Sequence, residues 1–395
     1  MATTKDLDNL LQRFLEEREL PGLSMSVYQG EEKLYENYFG YQDMDRTIPM
    51  SPEAMFRVYS MTKPISALCG LMMYERGAFL MDDPVSEYLP EYKNLKVSVK
   101  KEDGTWDVED SKVPMLMKHL FTMNVGFYAH DGSPTDLGMG EMLKKLGGSK
   151  FQANYTHLTE IKTLPMIPML FEPGEHYQYG YGLDIMAGVV EEISGKSLGT
   201  FMKDNIFDPL EMNHTGHFFK PGWKENLMDC VIRNKETGAV TKCDSILGDP
   251  LDSCHRPDAV YESASAGLLS TLNDYQKFCN MLANGGTWNG ERIIGRKTLA
   301  MLSQNMLSEK TQNEFENAGP YKGSSWSYGV RTLVDPSRAL CNSSVGEFGW
   351  QGAAGSWMMV DPTEKLSCVF VMQEMMPDEH FYHHRLRAVV NGLAK

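Results

Sequence analysis

The chain has 395 residues, of which 42% are hydrophobic, and its formal net charge is −15 at pH 7. This length suits two modest domains or one large interleaved domain, and the composition excludes a disordered or fibrous protein. The negative charge argues against a nucleic-acid partner or an anionic membrane surface.

The sequence indicates a reduced, cytoplasmic protein. Its N-terminus has no basic start followed by an apolar segment, and no apolar run approaches membrane-spanning length. The seven cysteines are odd in number, widely spaced and free of any CxxC pair, so they indicate neither a disulfide framework nor a zinc site. A chain trimmed of a signal peptide would look the same.

The first predicted elements are a helix and a hairpin. Residues 6–17 carry leucines and a phenylalanine at helical spacing, which predicts an amphipathic helix that ends before Pro21. Residues 23–28 and 33–39 flank a polar turn and predict a β-hairpin. Residues 65–76 are apolar on nearly every side and predict a buried helix. Because proline is tolerated in a first helical turn, Pro64 lets this helix begin close to Ser60.

The middle of the chain, residues 82–280, is expected to be mainly helical. Its clearest helices are residues 183–193, closed by Gly195, and a helix that starts at the capping residue Thr271. Predicted strands follow at residues 327–334, 356–360 and 367–373, and a helix at residues 385–393 closes the chain.

These elements predict an α+β fold with an inserted, mainly helical domain. The expected boundaries are residues 1–60 and 290–395 for the sheet domain and residues 61–289 for the helical domain. The active site is expected in the cleft between them.

Ser60 and Lys63 are the central candidates for chemistry. Residues three apart on a helix share a face, so the amine of Lys63 can reach the Ser60 hydroxyl. A serine nucleophile needs such a base, and burial would lower the pKa of the lysine. A helix N-terminus would also supply backbone donors to a developing oxyanion. The spacing alone is a weak signal, and the alternative is a capping serine followed by a solvated lysine.

Two other serines compete with Ser60. Ser98 also has a lysine three residues later, Lys101, but it lies in a charged run that is expected to be an exposed loop. Ser197 lies in a GxSxG pattern, which requires a preceding strand. Here a helix precedes the pattern, and Gly195 is expected to cap that helix, so Ser197 is the less favoured nucleophile.

Other polar clusters are expected to be structural. His380, His383 and His384 have metal-like helical spacing, but their charged neighbours favour a solvated helix face and no fourth ligand is apparent. His119 is expected to be a structural histidine. Taken alone, three alternating tyrosines favour packing: Tyr177, Tyr179 and Tyr181.

Several segments in a fixed order, spread over nearly the whole chain, carry a family resemblance. They are Ser60-Met-Thr-Lys63, Asp82-Asp83-Pro84-Val85, Pro173-Gly174 with Tyr179, Ala266-Gly-Leu-Leu-Ser-Thr271 and Gly349-Trp350-Gln351-Gly352. With this order and spacing the chain resembles the serine β-lactamase and penicillin-binding-protein superfamily, especially class C-like members and family VIII carboxylesterases. The resemblance implies an antiparallel sheet flanked by helices, an acyl-enzyme on Ser60, and no metal or cofactor.

The resemblance also implies roles for individual positions. Lys63 and Tyr179 would share the general acid–base work, with Tyr179 hydrogen-bonded near Ser60. The backbone N–H groups of Ser60 and Ala353 would form the oxyanion hole. The residues implied to bind substrate are Tyr181, Trp350, Gln351 and Gly352.

Two departures from the family pattern favour esters over lactams. Related β-lactamases carry Lys-Thr-Gly where this chain has Trp350-Gln351-Gly352, and tryptophan supplies no cation for a substrate carboxylate. They carry Tyr-x-Asn where this chain has Tyr179-Gly180-Tyr181, which removes a substrate-holding amide. The stretch from Tyr179 to Asp184 also resembles acyltransferases that esterify statin-type polyketides.

The resulting hypothesis is a serine hydrolase of the carboxylesterase type that acts on small or apolar esters. Three alternatives stay open: a β-lactamase or D-aminopeptidase-like amidase, an acyltransferase, and a non-catalytic binding protein that keeps the cleft. The expected partner is a small-molecule ester or amide substrate, with no nucleic acid and no membrane, and the sequence leaves the oligomeric state open.

Overall fold

The structure, a computed structural model, describes residues 2–149, 153–246 and 249–395. Its helices are α1 Thr4–Arg18, α2 Thr62–Glu75, α3 Met117–Phe121, α4 Pro134–Leu146, α5 His157–Thr163, α6 Gly182–Ser194, α7 Leu198–Met202, α8 Leu272–Ala283, α9 Arg296–Leu299, α10 Glu309–Asn317, α11 Pro336–Ala339 and α12 Glu379–Gly392.

The strands are mostly short, and those of the largest sheet lie towards both ends of the chain. They are β1 Gly22–Gln29, β2 Glu32–Gly40, β3 Met55–Arg57, β4 Lys96–Lys100, β5 Trp106–Asp110, β6 Val231–Arg233, β7 Val240–Lys242, β8 Ser245–Ile246, β9 Asp249–Pro250, β10 Leu269–Thr271, β11 Thr287–Trp288, β12 Glu291–Arg292, β13 Ser324–Trp326, β14 Arg331–Leu333, β15 Phe348–Gln351, β16 Trp357–Asp361, β17 Leu366–Val371 and β18 Glu374–Met375.

A seven-stranded antiparallel sheet organises the molecule, in the order β13-β14-β15-β16-β17-β1-β2. Strand β1 pairs with β17, so Ser24 lies opposite Val371 and the two ends of the chain meet inside the sheet. Successive side chains of β17 enter different cores. Cys368 and Phe370 pack with α1 and α12, whereas Val369 and Val371 join the larger core that contains α2 and α8.

Helix α2 is buried along most of its length, as the apolar sequence predicts. It packs against α6, and Gly70 makes the approach close. A Cβ atom at Gly70 would lie 2.8 Å from the Met186 side chain. The helix that carries the candidate lysine is therefore held by a tight helix–helix contact.

The predicted fold class is confirmed: antiparallel sheet and helices combine in an α+β molecule. The predicted helices at residues 6–17, 65–76 and 183–193 and the hairpin are also confirmed, within a few residues at their ends. None of the helices in the described part of the chain combines the length and hydrophobicity needed to cross a bilayer.

The predicted strand at residues 327–334 is confirmed only in its second half, where β14 lies, and is wrong at residues 327–330. Strand β13 ends at Trp326 and β14 begins at Arg331, so this stretch contains a tight turn. Gly329 adopts a φ of +80° there, a conformation that favours glycine. A Cβ atom at this position would lie 2.5 Å from the Ala67 side chain, so the turn packs directly on α2.

The predicted domain boundaries stay a prediction. Helix α8 lies inside the segment assigned to the helical domain, yet it packs against β1, β16 and β17 of the sheet. Buried hydrogen bonds join α8 to the sheet. Gln276 of α8 accepts from Ser26 Oγ of β1 at 2.6 Å and donates to Ser367 Oγ of β17 at 2.9 Å.

Candidate active site

Ser60 lies in a 3₁₀ turn, Tyr59–Met61, that leads directly into α2. Its neighbour Tyr59 has a φ of +46°, an uncommon conformation for a residue other than glycine. A hydrogen bond from α8 holds the turn in place, since the Tyr275 hydroxyl donates to the Met61 carbonyl at 2.6 Å. Ser60 itself is partly exposed, so solvent can reach this residue.

Lys63 lies one turn later and is only 3% exposed. Its Nζ donates to Ser60 Oγ at 3.3 Å and to the carbonyl of Ser265 at 3.0 Å. The same nitrogen lies 4.5 Å from the centre of the Tyr179 ring. The structure thus brings together the serine and the lysine that the spacing selected.

Ser265 and Asp184 support this lysine, and the sequence reasoning missed both. The Ser265 hydroxyl donates to Asp184, a buried carboxylate in the first turn of α6. This bond fixes the segment whose carbonyl accepts from Lys63. The only sequence signal for these two residues is that they lie close to segments of the family pattern. Ser265 directly precedes Ala266-Gly267, and Asp184 follows Tyr179 by five residues.

Tyr179 completes the polar group around Ser60. Its hydroxyl is hydrogen-bonded to the Ser60 side chain and accepts from Trp350 Nε1 at 2.9 Å. Burial raises the pKa of Tyr179, and the two hydrogen bonds act in the opposite direction. Aromatic contacts with Trp326 and Trp350 hold the ring in place. The indole of Trp350 thus supplies a neutral donor beside the tyrosine oxygen.

The backbone after β15 lies against the Ser60 turn. A Cβ atom on Gly352 would lie 2.6 Å from the Val58 carbonyl, so only glycine permits this approach. Ala353 comes next, and its carbonyl accepts from the Met376 N–H at 2.7 Å. Ala353 therefore follows directly on the close approach of Gly352 to Val58, and its role as an oxyanion donor stays a prediction.

The other two implied substrate-binding residues differ in position. Gln351 donates to the Tyr321 hydroxyl and to Glu379 Oε2, both at 2.8 Å, and burial raises the pKa of Glu379 to about 7. The hydroxyl of Tyr181 instead donates to the buried Glu160 at 2.9 Å. The structure therefore places that hydroxyl in an internal network and not with Ser60.

The competing serines occupy structural positions. Ser197 caps helix α7 by accepting from the Thr200 N–H, and Gly195 ends the preceding helix in the left-handed conformation, as predicted. The prediction of an exposed loop at Ser98 is wrong. Ser98 is buried in β4, where its hydroxyl lies 2.9 Å from that of Thr135 and its N–H donates to the Met169 carbonyl.

The histidine predictions had mixed outcomes. His119 is structural, because it accepts from the Leu116 N–H, and burial lowers its pKa to about 4. The solvated face predicted for the C-terminal histidines is wrong at His383. This ring is buried, stacks on Trp357 and lies 3.0 Å from the Gly355 carbonyl, because this face of α12 packs on the sheet.

Comparisons with known proteins agree with this architecture. Esterase EstB from Burkholderia gladioli is 24% identical over 388 residues, which cover 92% of this chain and 89% of that protein. Among solved structures, EstCE1, a hydrolase with promiscuous acyltransferase activity, matches with a TM-score of 0.78, 20% identity, and 99% and 97% coverage of the two chains. Simvastatin synthase (LovD) from Aspergillus terreus matches with a TM-score of 0.83, 17% identity and 99% coverage of both chains.

A match to a family model identifies the family of the chain. The model described as Beta-lactamase matches residues 7–392, nearly the whole sequence. Together with the antiparallel sheet and its flanking helices, this match shows that the chain belongs to the Beta-lactamase family and is an enzyme of the serine-hydrolase type.

Proposed function

We propose that the protein is a carboxylesterase that works through an acyl-enzyme on Ser60. The observation that carries this proposal is that two titratable side chains are hydrogen-bonded to the Ser60 hydroxyl. Lys63 donates to Ser60 Oγ, and Tyr179 is hydrogen-bonded to the same side chain. A serine with two titratable partners and nearby backbone donors is equipped for acyl transfer.

In the first half-reaction, Ser60 Oγ attacks the ester carbonyl as its proton passes to the Lys63–Tyr179 pair. The oxyanion of the tetrahedral intermediate would be held by the N–H groups of Ser60 and Ala353. Collapse of the intermediate breaks the bond to the alcohol, which leaves with a proton from the same pair. Water then attacks the acyl group and gives a proton to the pair, the bond between the acyl carbon and Ser60 Oγ breaks, and the pair returns the proton to Ser60 Oγ as the acid leaves.

Trp350 supports an ester and not a carboxylate-bearing lactam as the substrate. Its side chain supplies an indole N–H that is already bonded to Tyr179, so no cation stands there to meet a substrate carboxylate. The similarity to esterase EstB points in the same direction. The neighbouring Tyr321 is partly exposed and its ring packs against Trp350, which favours esters with apolar groups.

A panel of p-nitrophenyl esters, with the β-lactam nitrocefin alongside, tests the proposal. Ser60→Ala should reduce ester hydrolysis at least about a thousandfold. Ser197→Ala is the matched control, because that serine only caps a helix, and it should keep near-normal rates. Wild-type ester hydrolysis should greatly exceed nitrocefin hydrolysis. Unchanged ester turnover in Ser60→Ala would refute the proposal.

A covalent probe identifies the nucleophile independently of turnover. We expect a fluorophosphonate to label one serine, with the mass increase on the peptide that contains Ser60. Labelling of Ser197 or Ser98 instead would contradict the assignment.

Acyl transfer to an alcohol is the second candidate function. It is favoured by the similarity to simvastatin synthase and to EstCE1, whose description includes promiscuous acyltransferase activity. Both functions share the acyl-enzyme and differ in the group that releases it. Product partition in the presence of added alcohols separates them, since a transferase forms the new ester in excess over the free acid.

A further inference from the structure

We propose that Glu379 gives the cleft a preference for esters that carry a positive charge over matched esters that carry a negative charge. This inference rests on the proposed ester chemistry and specifies the substrate class of the same site. It concerns a residue at the start of α12 that the mechanism above does not use.

Glu379 is joined to the candidate site by short contacts. Its Oε2 accepts from Gln351 Nε2 at 2.8 Å, and Gln351 lies between Trp350 and Gly352 on the strand beside Ser60. The segment before α12 is bonded to the same strand end, since the Met376 N–H donates to the Ala353 carbonyl. The Glu379 charge also raises the pKa of Tyr179, a direct electrostatic influence on the candidate acid–base residue.

The cations near Glu379 are engaged with other partners. Arg331 and Arg387 both pair with Glu347, and Lys322 donates to Asn317 at 3.0 Å. These three residues line one small cavity together with Gln351 and Glu379. Arg331 and Arg387 share the single carboxylate of Glu347, and none of these three cations forms an ion pair with Glu379, so no direct ion pair with them neutralises its carboxylate.

Two histidines that line the same cavity, His383 and His384, are neutral near neutral pH. Burial lowers the pKa of His383 to about 3 and that of His384 to about 4. Exposed His380 packs against the ring of His384. Tyr321 has a pKa raised by burial, and Asp378 adds a second negative charge on the same helix end.

The partly exposed Glu379 carboxyl therefore acts as a negative group at the substrate-binding edge of the strand. Its hydrogen-bond partner Gln351 directly follows Trp350, which supplies no cation of its own. An ammonium group on the substrate would be attracted to this edge, and a carboxylate or sulfonate would be repelled.

The expected pH dependence follows from protonation of Glu379. Burial raises its pKa to about 7, against the opposing hydrogen bond from Gln351. Above this pH the carboxylate is charged and the preference for cationic esters is full. As the pH falls through 7 the carboxyl becomes neutral, so the preference should fade.

Three thioacetate esters of equal shape test the inference, with a trimethylammonium, a tert-butyl or a sulfonate group at the end of the alcohol. At pH 8 and low salt, the wild type should show a kcat/KM about five- to tenfold higher for the cationic ester than for the neutral one, and a lower value for the anionic ester. Glu379→Gln should bring the three values together, and the ratio of the cationic to the anionic ester is the readout because the substitution also acts on Tyr179 and Gln351. High salt should also reduce the differences in the wild type.

Glu364→Gln is the matched control, because this exposed glutamate lies in the turn at the far end of strands β16 and β17. It should keep the wild-type charge preference. An unchanged cationic-to-anionic ratio in Glu379→Gln, with the neutral ester still hydrolysed, would overturn the inference alone. Absence of any Ser60-dependent ester hydrolysis in the wild type would instead overturn the proposed function. Rate measurement at pH 5.5 and pH 8 provides the second readout without a substitution.

Discussion

The Trp350 indole is the residue-scale feature that distinguishes this site. It donates to Tyr179 at 2.9 Å and packs on the same ring. Trp350→Phe removes the donor and keeps most of the aromatic surface. We expect kcat/KM for p-nitrophenyl acetate to fall about fivefold to tenfold, the worth of one hydrogen bond of about 1 to 1.5 kcal/mol.

The control for this variant is Trp288→Phe. Trp288 packs against Tyr28 on a separate hairpin, and its replacement should leave kcat/KM unchanged. Equal rates in Trp350→Phe and wild type would show that the indole N–H does not assist Tyr179.

Ser265 is expected to act through Lys63. Because its hydroxyl is bonded to Asp184 and its carbonyl accepts from Lys63, Ser265→Ala should lower kcat about tenfold and leave KM nearly unchanged. Ser265→Thr keeps the hydroxyl and should recover most of the rate. A loss that threonine fails to recover, together with a lower Tm, would indicate a structural role only.

His157 is expected to make stability depend on pH. Burial disfavours its charged form, but the hydrogen bond and charge of Glu191, 2.6 Å away, outweigh burial and raise the pKa. The folded state therefore holds a proton more tightly than the unfolded state. The resulting stabilisation is full below about pH 6.5 and is lost as the pH rises through the folded pKa.

Urea unfolding at pH 6 and pH 9 measures this dependence. The free energy of unfolding should fall more steeply with pH in the wild type than in His157→Gln. The exposed His130 supplies the control, since His130→Gln should keep the wild-type slope. Parallel curves for His157→Gln and wild type would contradict the assignment.

Sequence reasoning could find the residues with a local signature and missed those without one. Ser60 and Lys63 stand three apart on one helix, and Tyr179 lies in a recognisable segment. Ser265 and Glu379 carry no such signature. Their positions depend on contacts between segments that are far apart in the chain, which a single sequence does not encode in its local pattern.

At the scale of elements, the approach of strand β15 to the Ser60 turn depends on Gly352. Gly352→Ala would place a Cβ atom 2.6 Å from the Val58 carbonyl, a distance that forces the strand end away from the turn. We expect kcat to fall about a hundredfold, since small displacements of an oxyanion donor are costly. Steady-state kinetics with p-nitrophenyl acetate measure this effect.

The matched substitution is Gly290→Ala, at a glycine in a remote hairpin turn with open space around it. It adds the same methyl group, strains only that turn and should leave kcat unchanged. A Gly352→Ala enzyme with normal kcat would contradict the close approach as a requirement of catalysis.

Long periodic elements were predictable because their burial pattern is local. Helices α1, α2 and α6 bury the residues that their spacing selects. The turn at Gly329 and the buried face of α12 were not predictable in this way. The turn fits against Ala67 and His383 stacks on Trp357, and both partners are distant in the sequence.

At the scale of the molecule, α1 and α12 join the two ends of the chain on one face of the sheet. Phe14 is fully buried and contacts the rings of Phe370, Phe381 and Tyr382. Phe14→Ala should therefore lower the free energy of unfolding by about 3 to 5 kcal/mol. Chemical denaturation measures this loss.

Measuring kcat of Phe14→Ala separates the loss of stability from any effect on catalysis. Phe14 is not among the residues around Ser60, so kcat per folded molecule should match the wild type at low temperature. A large fall in kcat without loss of stability would show that the terminal helices control the site directly.

The pairing of β1 with β17 has a consequence for synthesis on the ribosome. Strand β1 is made early, but its partner on that edge is made only after residue 366. At typical elongation rates of about 5 to 20 residues per second, the nascent hairpin keeps an unpaired edge for roughly tens of seconds. Ser60 emerges in the same early segment, whereas Ala353 arrives about 290 residues later, so the nascent chain cannot assemble the candidate site before residue 353 has been made.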